Sequence, residues 1–147
     1  MEKLEKEMIE TLIEKAFGML DYSYVPYSCY TVGAALLSLD GKIYTGCNVE
    51  NIAFGPSNCA ERTAFFKAVS EGQKKFSAIA VVGGPKKKVN DFCSPCGICR
   101  QVMREFCQDD FIVIMAKSKE EYKIMTLKEL LPQSFMPEGQ VGASEDF

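Results

Sequence analysis

The 147-residue chain contains no histidine. That absence removes the Ser-His-Asp triad, the Cys-His nucleophile pair and any two-histidine metal site. A bound metal would have to be held by thiolates or carboxylates, and protons would have to travel on Glu, Asp, Lys, Tyr or Cys. No apolar run approaches the ~18 residues needed to cross a bilayer. The first residues, Met1 to Glu7, mix charge signs and lack the apolar stretch of a secretory signal, so no membrane partner and a cytoplasmic location are expected. Positive charge is also scarce. The net charge is −3, and Lys86-Lys87-Lys88 is the one basic run of three. Nucleic-acid binders gather lysine and arginine on one face, so this balance argues against a polynucleotide partner.

The composition is that of an ordinary globular protein, with 47% apolar and 25% charged residues. The length suits a single domain over 1–147, with flexibility expected at residues 1–3 and in the tail after about 136. Seven cysteines are present, an odd number without an export signal, which argues against a disulfide framework.

Apolar residues at Leu4, Met8, Leu12, Ile13, Ala16, Phe17 and Leu20 predict an amphipathic helix over 4–21. Residues 22–30 read as a loop. Strands are expected at 31–39 and 42–49, joined by an Asp40-Gly41 hairpin. Residues 58–72 predict a helix with Asn58 as N-cap and Gly72 as C-cap. Phe76 to Val82 suits a strand covered on both faces. Ser94-Pro95 is expected to open a helix running to about Cys107, with Ser94 as N-cap. Strands at 111–116 and 122–125 follow, and Thr126 to Glu129 has capping-box spacing for a last short helix. The tail from Pro132 is expected to be coil. Alternating helices and buried strands predict one sheet covered by helices on both sides, partly antiparallel because of the hairpin.

Three segments converge on chemistry: Cys59-Ala60-Glu61, Pro95-Cys96-Gly97-Ile98-Cys99 and Cys47-Asn48-Val49-Glu50-Asn51. Cys96 and Cys99, three apart, would share a helix face. Their spacing fits half of a zinc site, a redox pair or two core thiols. Cys59 offers a third thiolate. A fourth from Cys29, Cys47, Cys93 or Cys107 would make a structural site, whereas three ligands and an open corner describe a catalytic one. Glu61 would lie in the same helical turn as Cys59, beside a metal-held water; on its own it also reads as the capping-box partner of Asn58. Three thiolates on Zn²⁺ leave a charge of −1, which two helix N-termini would temper. Arg62 and Arg100 follow the ligands closely; Arg62 is a candidate sulfur donor and Arg100 reads as a surface residue.

Together, C-x-E and P-C-x-x-C form the three-cysteine version of the zinc deaminase signature. With PYSCYTVGAALL (26–37), GCNVEN (46–51), NCAERTAFFKAVSEG (58–72), SPCGICRQVMREF (94–106) and MTLKELLPQSF (125–135), the chain resembles the small homotetrameric cytidine deaminases of pyrimidine salvage. The resemblance implies a three-layer αβα sandwich with a mixed five-stranded sheet, and a homotetramer with sites at subunit interfaces. It also implies one Zn²⁺ per subunit and hydrolytic deamination of cytidine and 2′-deoxycytidine. Cys59, Cys96 and Cys99 match its zinc ligands, and Glu61 its proton shuttle. Asn48 and Glu50 match the pair that binds the ribose hydroxyls, and Ala60 a backbone N–H that reaches the base. Arg62 matches an arginine that tempers the thiolate charge. Tyr30 stands where the family usually has Phe near the base, Phe54 where it usually has Tyr near a neighbouring site, and Phe135 matches an aromatic that caps the pocket. Ile98 replaces a residue that is usually small. Two rivals are a deaminase of a related molecule, such as a blasticidin-type antibiotic, and a non-catalytic zinc module with a fourth ligand such as Cys93.

Overall fold

The computed structural model describes residues 4–136. The flexibility expected at residues 1–3 and in most of the tail falls outside that span; residues 131–136 follow the last helix as turn and coil. Helix α1 (Lys6–Gly18) runs into a 3-10 turn at Met19–Tyr22, and strands β1 (Tyr30–Ser38) and β2 (Ile43–Cys47) form the hairpin. Helix α2 (Ala60–Ser70), strand β3 (Phe76–Pro85), helix α3 (Gly97–Phe106), strands β4 (Ile112–Ala116) and β5 (Tyr122–Thr126) and helix α4 (Leu127–Leu130) complete the order. The hairpin turns where expected, with Gly41 at φ 90°, a conformation that costs a residue with a Cβ.

The five strands lie in the order β2-β1-β3-β4-β5. The β3–β4 pair is parallel and the others antiparallel, so the sheet is mixed as expected. Side chains alternate across it with period two. Ala34, Leu36, Ile79, Val81, Val113 and Met115 pack with Ala60, Ala64, Phe65, Cys99 and Met103 of α2 and α3. Ala35, Leu37, Ala78, Ala80, Val82, Ile114 and Ala116 pack on the other side with Ile9, Leu12, Ile13 and Ala16 of α1. This gives the three-layer αβα sandwich. The α1 face is rich in alanine, and a Cβ at Gly33 would stand 2.0 Å from the Ala16 carbonyl oxygen, so α1 lies close on the sheet.

The topology positions the site. Strands β2 and β3 both run antiparallel to β1 and therefore in the same direction. The helices that follow them, α2 and α3, therefore start at the same end of the sheet and pack on the same face. This is the carboxyl end of the strands, where open α/β sheets place their ligands.

Two helix starts differ from the sequence expectation. The N-cap of α2 is Cys59, not Asn58, whose amide donates to Thr63 Oγ1 at 3.2 Å. Glu61 is consequently the second helical residue, not the third, and cannot close a capping box with Asn58. The N-cap of α3 is Cys96, not Ser94, and its sulfur accepts the Cys99 N–H at 3.4 Å. At the far end of α2 the C-cap is Glu71, one residue before the expected Gly72; Gly72, at φ 91°, and Gln73 donate to the Val69 and Ala68 carbonyls in a Schellman arrangement. The Thr126–Glu129 capping box is formed. No described helix is long and apolar enough to cross a membrane.

Candidate active site

The α2 and α3 N-termini bring three sulfurs together. Cys59 Sγ lies 3.7 Å from Cys96 Sγ, and Cys96 Sγ lies 3.4 Å from Cys99 Sγ. All three lie within 4.8 Å of one another. A tetrahedron with Zn–S bonds of about 2.3 Å has S···S edges of about 3.8 Å. The triangle therefore fits three corners of a zinc site, and its all-thiolate donor set suits a borderline-soft ion. Every cysteine is free, so the pair Cys96 and Cys99 is not an oxidised disulfide. Cys99 is buried and Cys96 exposed, so one side of the triangle faces the core and another faces solvent.

Cys93 does not belong to this group. Its sulfur lies beside Gly83 and Tyr30: a Cβ added at Gly83 would stand 2.9 Å from it and 3.2 Å from a Tyr30 ring carbon. Burial pushes the Cys93 thiol up to about 12. Among the described residues there is thus no four-ligand cluster of the kind a structural zinc module requires.

Cys59 and Cys96 sit at the positive ends of two helix dipoles. The Arg62 guanidinium donates to Cys59 Sγ at 3.4 Å. The Cys99 thiol, with help from Arg62 and Cys96, holds the Cys59 sulfur well below the ordinary thiol range. Glu61 is 3% exposed, an unusual burial for a carboxylate that has no ion-pair partner among the described residues. Burial pushes its carboxyl up to about 7, and the neighbouring Cys59 charge acts in the same direction.

The segment after β2 runs beside this cluster. Val49 pairs through its backbone with Asn58, and Tyr24 exchanges backbone hydrogen bonds with Asn48 and Glu50. Asn48 Oδ1 accepts the Val32 N–H at 3.0 Å, and its Nδ2 donates to the Tyr30 carbonyl at 2.8 Å. Glu50 Oε1 accepts the N–H groups of Tyr27 and Ser28, both at 3.1 Å. Hydrogen bonds from Ser28, and then from the Tyr27 amide, hold the Glu50 carboxyl below its usual range, so it stays ionised. Ala60 is buried at the first position of α2, which has no side-chain cap, so the amides of that turn keep donor capacity. Tyr30 packs near Gly83 with Cys93. Phe54 and Phe135 are each 78% exposed.

Sequence reasoning missed the role of Arg100. It is half-buried and donates to Pro95, Ser94 and Leu130 at the entrance to α3. An arginine has no sequence mark for such backbone acceptors, so nothing in the spacing signalled it.

Residues 6–115 match the family described as the cytidine and deoxycytidylate deaminase zinc-binding region. The chain belongs to this family. A cytidine deaminase of Sporosarcina psychrophila is 47% identical over 137 residues, 93% of this chain and 98% of the relative. A probable cytidine deaminase of Dictyostelium discoideum is 43% identical over 143 residues, 97% of this chain and 93% of its own. The crystal structure of a cytidine deaminase from Burkholderia pseudomallei has a TM-score of 0.77 at 42% identity, covering 85% of this chain and 97% of that one. A Mycobacterium tuberculosis cytidine deaminase gives 0.75 at 34% identity, covering 92% and 100%. The deaminase family thus accounts for the fold and for a zinc-binding region, and the three-sulfur cluster is where this member can hold the ion.

Proposed function

We propose that the chain hydrolyses cytidine and 2′-deoxycytidine to uridine and 2′-deoxyuridine with release of ammonia. The observation that carries the reading is the three-thiol cluster with a buried glutamate on the same helical turn as one of its sulfurs. The similar proteins named cytidine deaminase support the substrate.

Cys59, Cys96 and Cys99 would hold one Zn²⁺ per subunit. When bound, zinc supplies an acidified water at neutral pH and electrophilic assistance. Glu61 carries the protons. It takes one from the attacking water and delivers it to N3, then takes the proton of the new C4 hydroxyl and delivers it to the amine on C4. A C4–O bond forms, the C4–N bond breaks, and ammonia leaves. A carboxyl held near 7 by burial is suited to both acceptance and donation. Arg62 offsets the −1 charge of a three-thiolate zinc. Asn48 is oriented by two backbone partners and keeps a second N–H and a second lone pair for a ribose hydroxyl. Glu50 uses Oε1 internally, leaving Oε2 for another hydroxyl. The Ala60 N–H addresses the base, and Tyr30 stacks beside it.

The rings of Phe54 and Phe135 are largely exposed and serve neighbouring subunits of a homotetramer. The whole chain acts as one domain, in the cytoplasm, in pyrimidine salvage. A ribose-binding pair at Asn48 and Glu50 favours ordinary nucleosides over antibiotic substrates. Incubating the zinc-loaded protein with cytidine and following its ultraviolet absorbance tests the reading. Full zinc occupancy with no loss of cytidine would refute it.

A further inference from the structure

We propose that Arg100 is a positioning residue that seats the Cys96 limb of the metal site; this rests on the reading that Cys59, Cys96 and Cys99 hold zinc. The three sulfurs are not anchored alike. Cys99 is buried within α3, and Cys59 caps α2, whose first turn packs on Gly46 of the sheet. Cys96 is exposed and ends a stretch, residues 88–96, that lies in no helix or strand. The chain entering Cys96 therefore draws little support from a regular backbone ladder.

Arg100 supplies what the ladder lacks. Its Nε donates to the Pro95 carbonyl at 2.8 Å, and its Nη2 to Ser94 Oγ at 2.7 Å. Its Nη1 donates to the Leu130 carbonyl at 2.6 Å, one of the carbonyls left unpaired at the end of α4. Its own N–H donates to the Cys96 carbonyl at 3.0 Å. One guanidinium thus ties the two residues before Cys96 to the far helix, and the Arg100 main chain holds Cys96 itself. The planar fork makes these bonds simultaneously, which an ammonium on a flexible stem cannot. Arg62 differs, because it donates directly to a sulfur. Arg100 acts on the ligand through the backbone that carries it.

Zinc release into an excess of chromogenic chelator tests this, with a thermal melt of each zinc-loaded form alongside. Arg100→Ala is expected to speed release roughly tenfold or more, the usual range for loss of an outer partner of a ligand. Arg100→Lys should fall between it and the wild type. Ser94→Ala, which removes one of the three side-chain bonds, should speed release less than Arg100→Ala. Gln101→Ala cuts a different tie, from Nε2 to the Phe135 carbonyl at 3.0 Å, and should release zinc at the wild-type rate. Wild-type release from both Arg100 variants, with lowered melts, would overturn the proposal and leave Arg100 as a plain structural clamp. Equal acceleration by Gln101→Ala would overturn it too, because general loosening of α3 would then be the cause. If Arg100→Ala does not fold, Arg100→Lys and Ser94→Ala decide the matter. A wild-type chain that takes up no zinc would overturn the metal reading itself, an outcome distinct from zinc-loaded variants behaving as wild type.

Discussion

Gly46→Ala should damage the active site without touching any residue proposed to do chemistry. Gly46 lies on β2, directly beneath the first turns of α2. An added Cβ would stand 2.3 Å from the Ala60 carbonyl oxygen, 2.6 Å from the Ala64 nitrogen and 3.1 Å from Thr63 Cβ. Two of these are backbone atoms of the helix, so no side chain can rotate away. Ordinary contact requires about 3.5 Å, so α2 must withdraw by about 1 Å. Overpacking of this kind costs about 1–3 kcal/mol. For a chain of this length that lowers Tm by about 3–10 °C. The same retreat carries Cys59, Ala60, Glu61 and Arg62 away from the α3 sulfurs. A misplacement of about 1 Å can cost a hundredfold in rate, so kcat/KM for cytidine should fall by about that factor. The assay is thermal unfolding and steady-state deamination at fixed protein concentration, with zinc content measured. A Gly46→Ala protein with wild-type Tm and wild-type kcat/KM would refute the argument.

Further outcomes follow from the same geometry. Phe65 is wholly buried and packs edge-on against Phe76 at 5.0 Å, with Phe106 and Phe111 each at 6.1 Å. Phe65→Ala should cost about 3–5 kcal/mol, read as a lowered urea midpoint with unchanged slope. Arg62→Gln removes the charged donor to Cys59, and zinc affinity measured by chelator competition should fall roughly tenfold to a hundredfold; unchanged affinity would show the contact to be idle. Stripping zinc with a chelator should abolish deamination, and added zinc should restore it. Because the sulfurs bind zinc as thiolates, metal retention should weaken as pH falls from 7 to 5, and tighter retention at pH 5 would contradict thiolate ligation.

The helix and strand order was legible because the periods were clean. The β-sheet alternation put Leu36 and Leu37 on opposite faces, and α1 buried Ile9, Leu12, Ile13 and Ala16 on one stripe. The helix starts were misread at the two places where chemistry intrudes. Asn58 and Ser94 are better capping types than cysteine, and propensity chose them. The fold gives those positions to Cys59 and Cys96, which places the sulfurs at the helix ends instead of on a helix face. At α2 the shift by one residue also removed Glu61 from the capping-box position. Cys93 is close in sequence to the cluster, yet its sulfur turns to Tyr30, a contact invisible without the β1–β3 register. The acceptors of Arg100 are mostly main-chain carbonyls, which every sequence has, so its clasp left no pattern to read.

The account turns on Glu61 moving protons beside a zinc held by Cys59, Cys96 and Cys99. The direct test is kcat for cytidine in zinc-loaded Glu61→Gln, with zinc content and substrate affinity measured on the same preparation. The amide keeps the shape of the side chain but cannot shuttle a proton. The account predicts retained zinc, retained binding and a kcat lowered at least about 10²-fold to 10⁴-fold, the usual yield of a general acid–base residue. A zinc-loaded Glu61→Gln protein that turns over cytidine at the wild-type rate would contradict it.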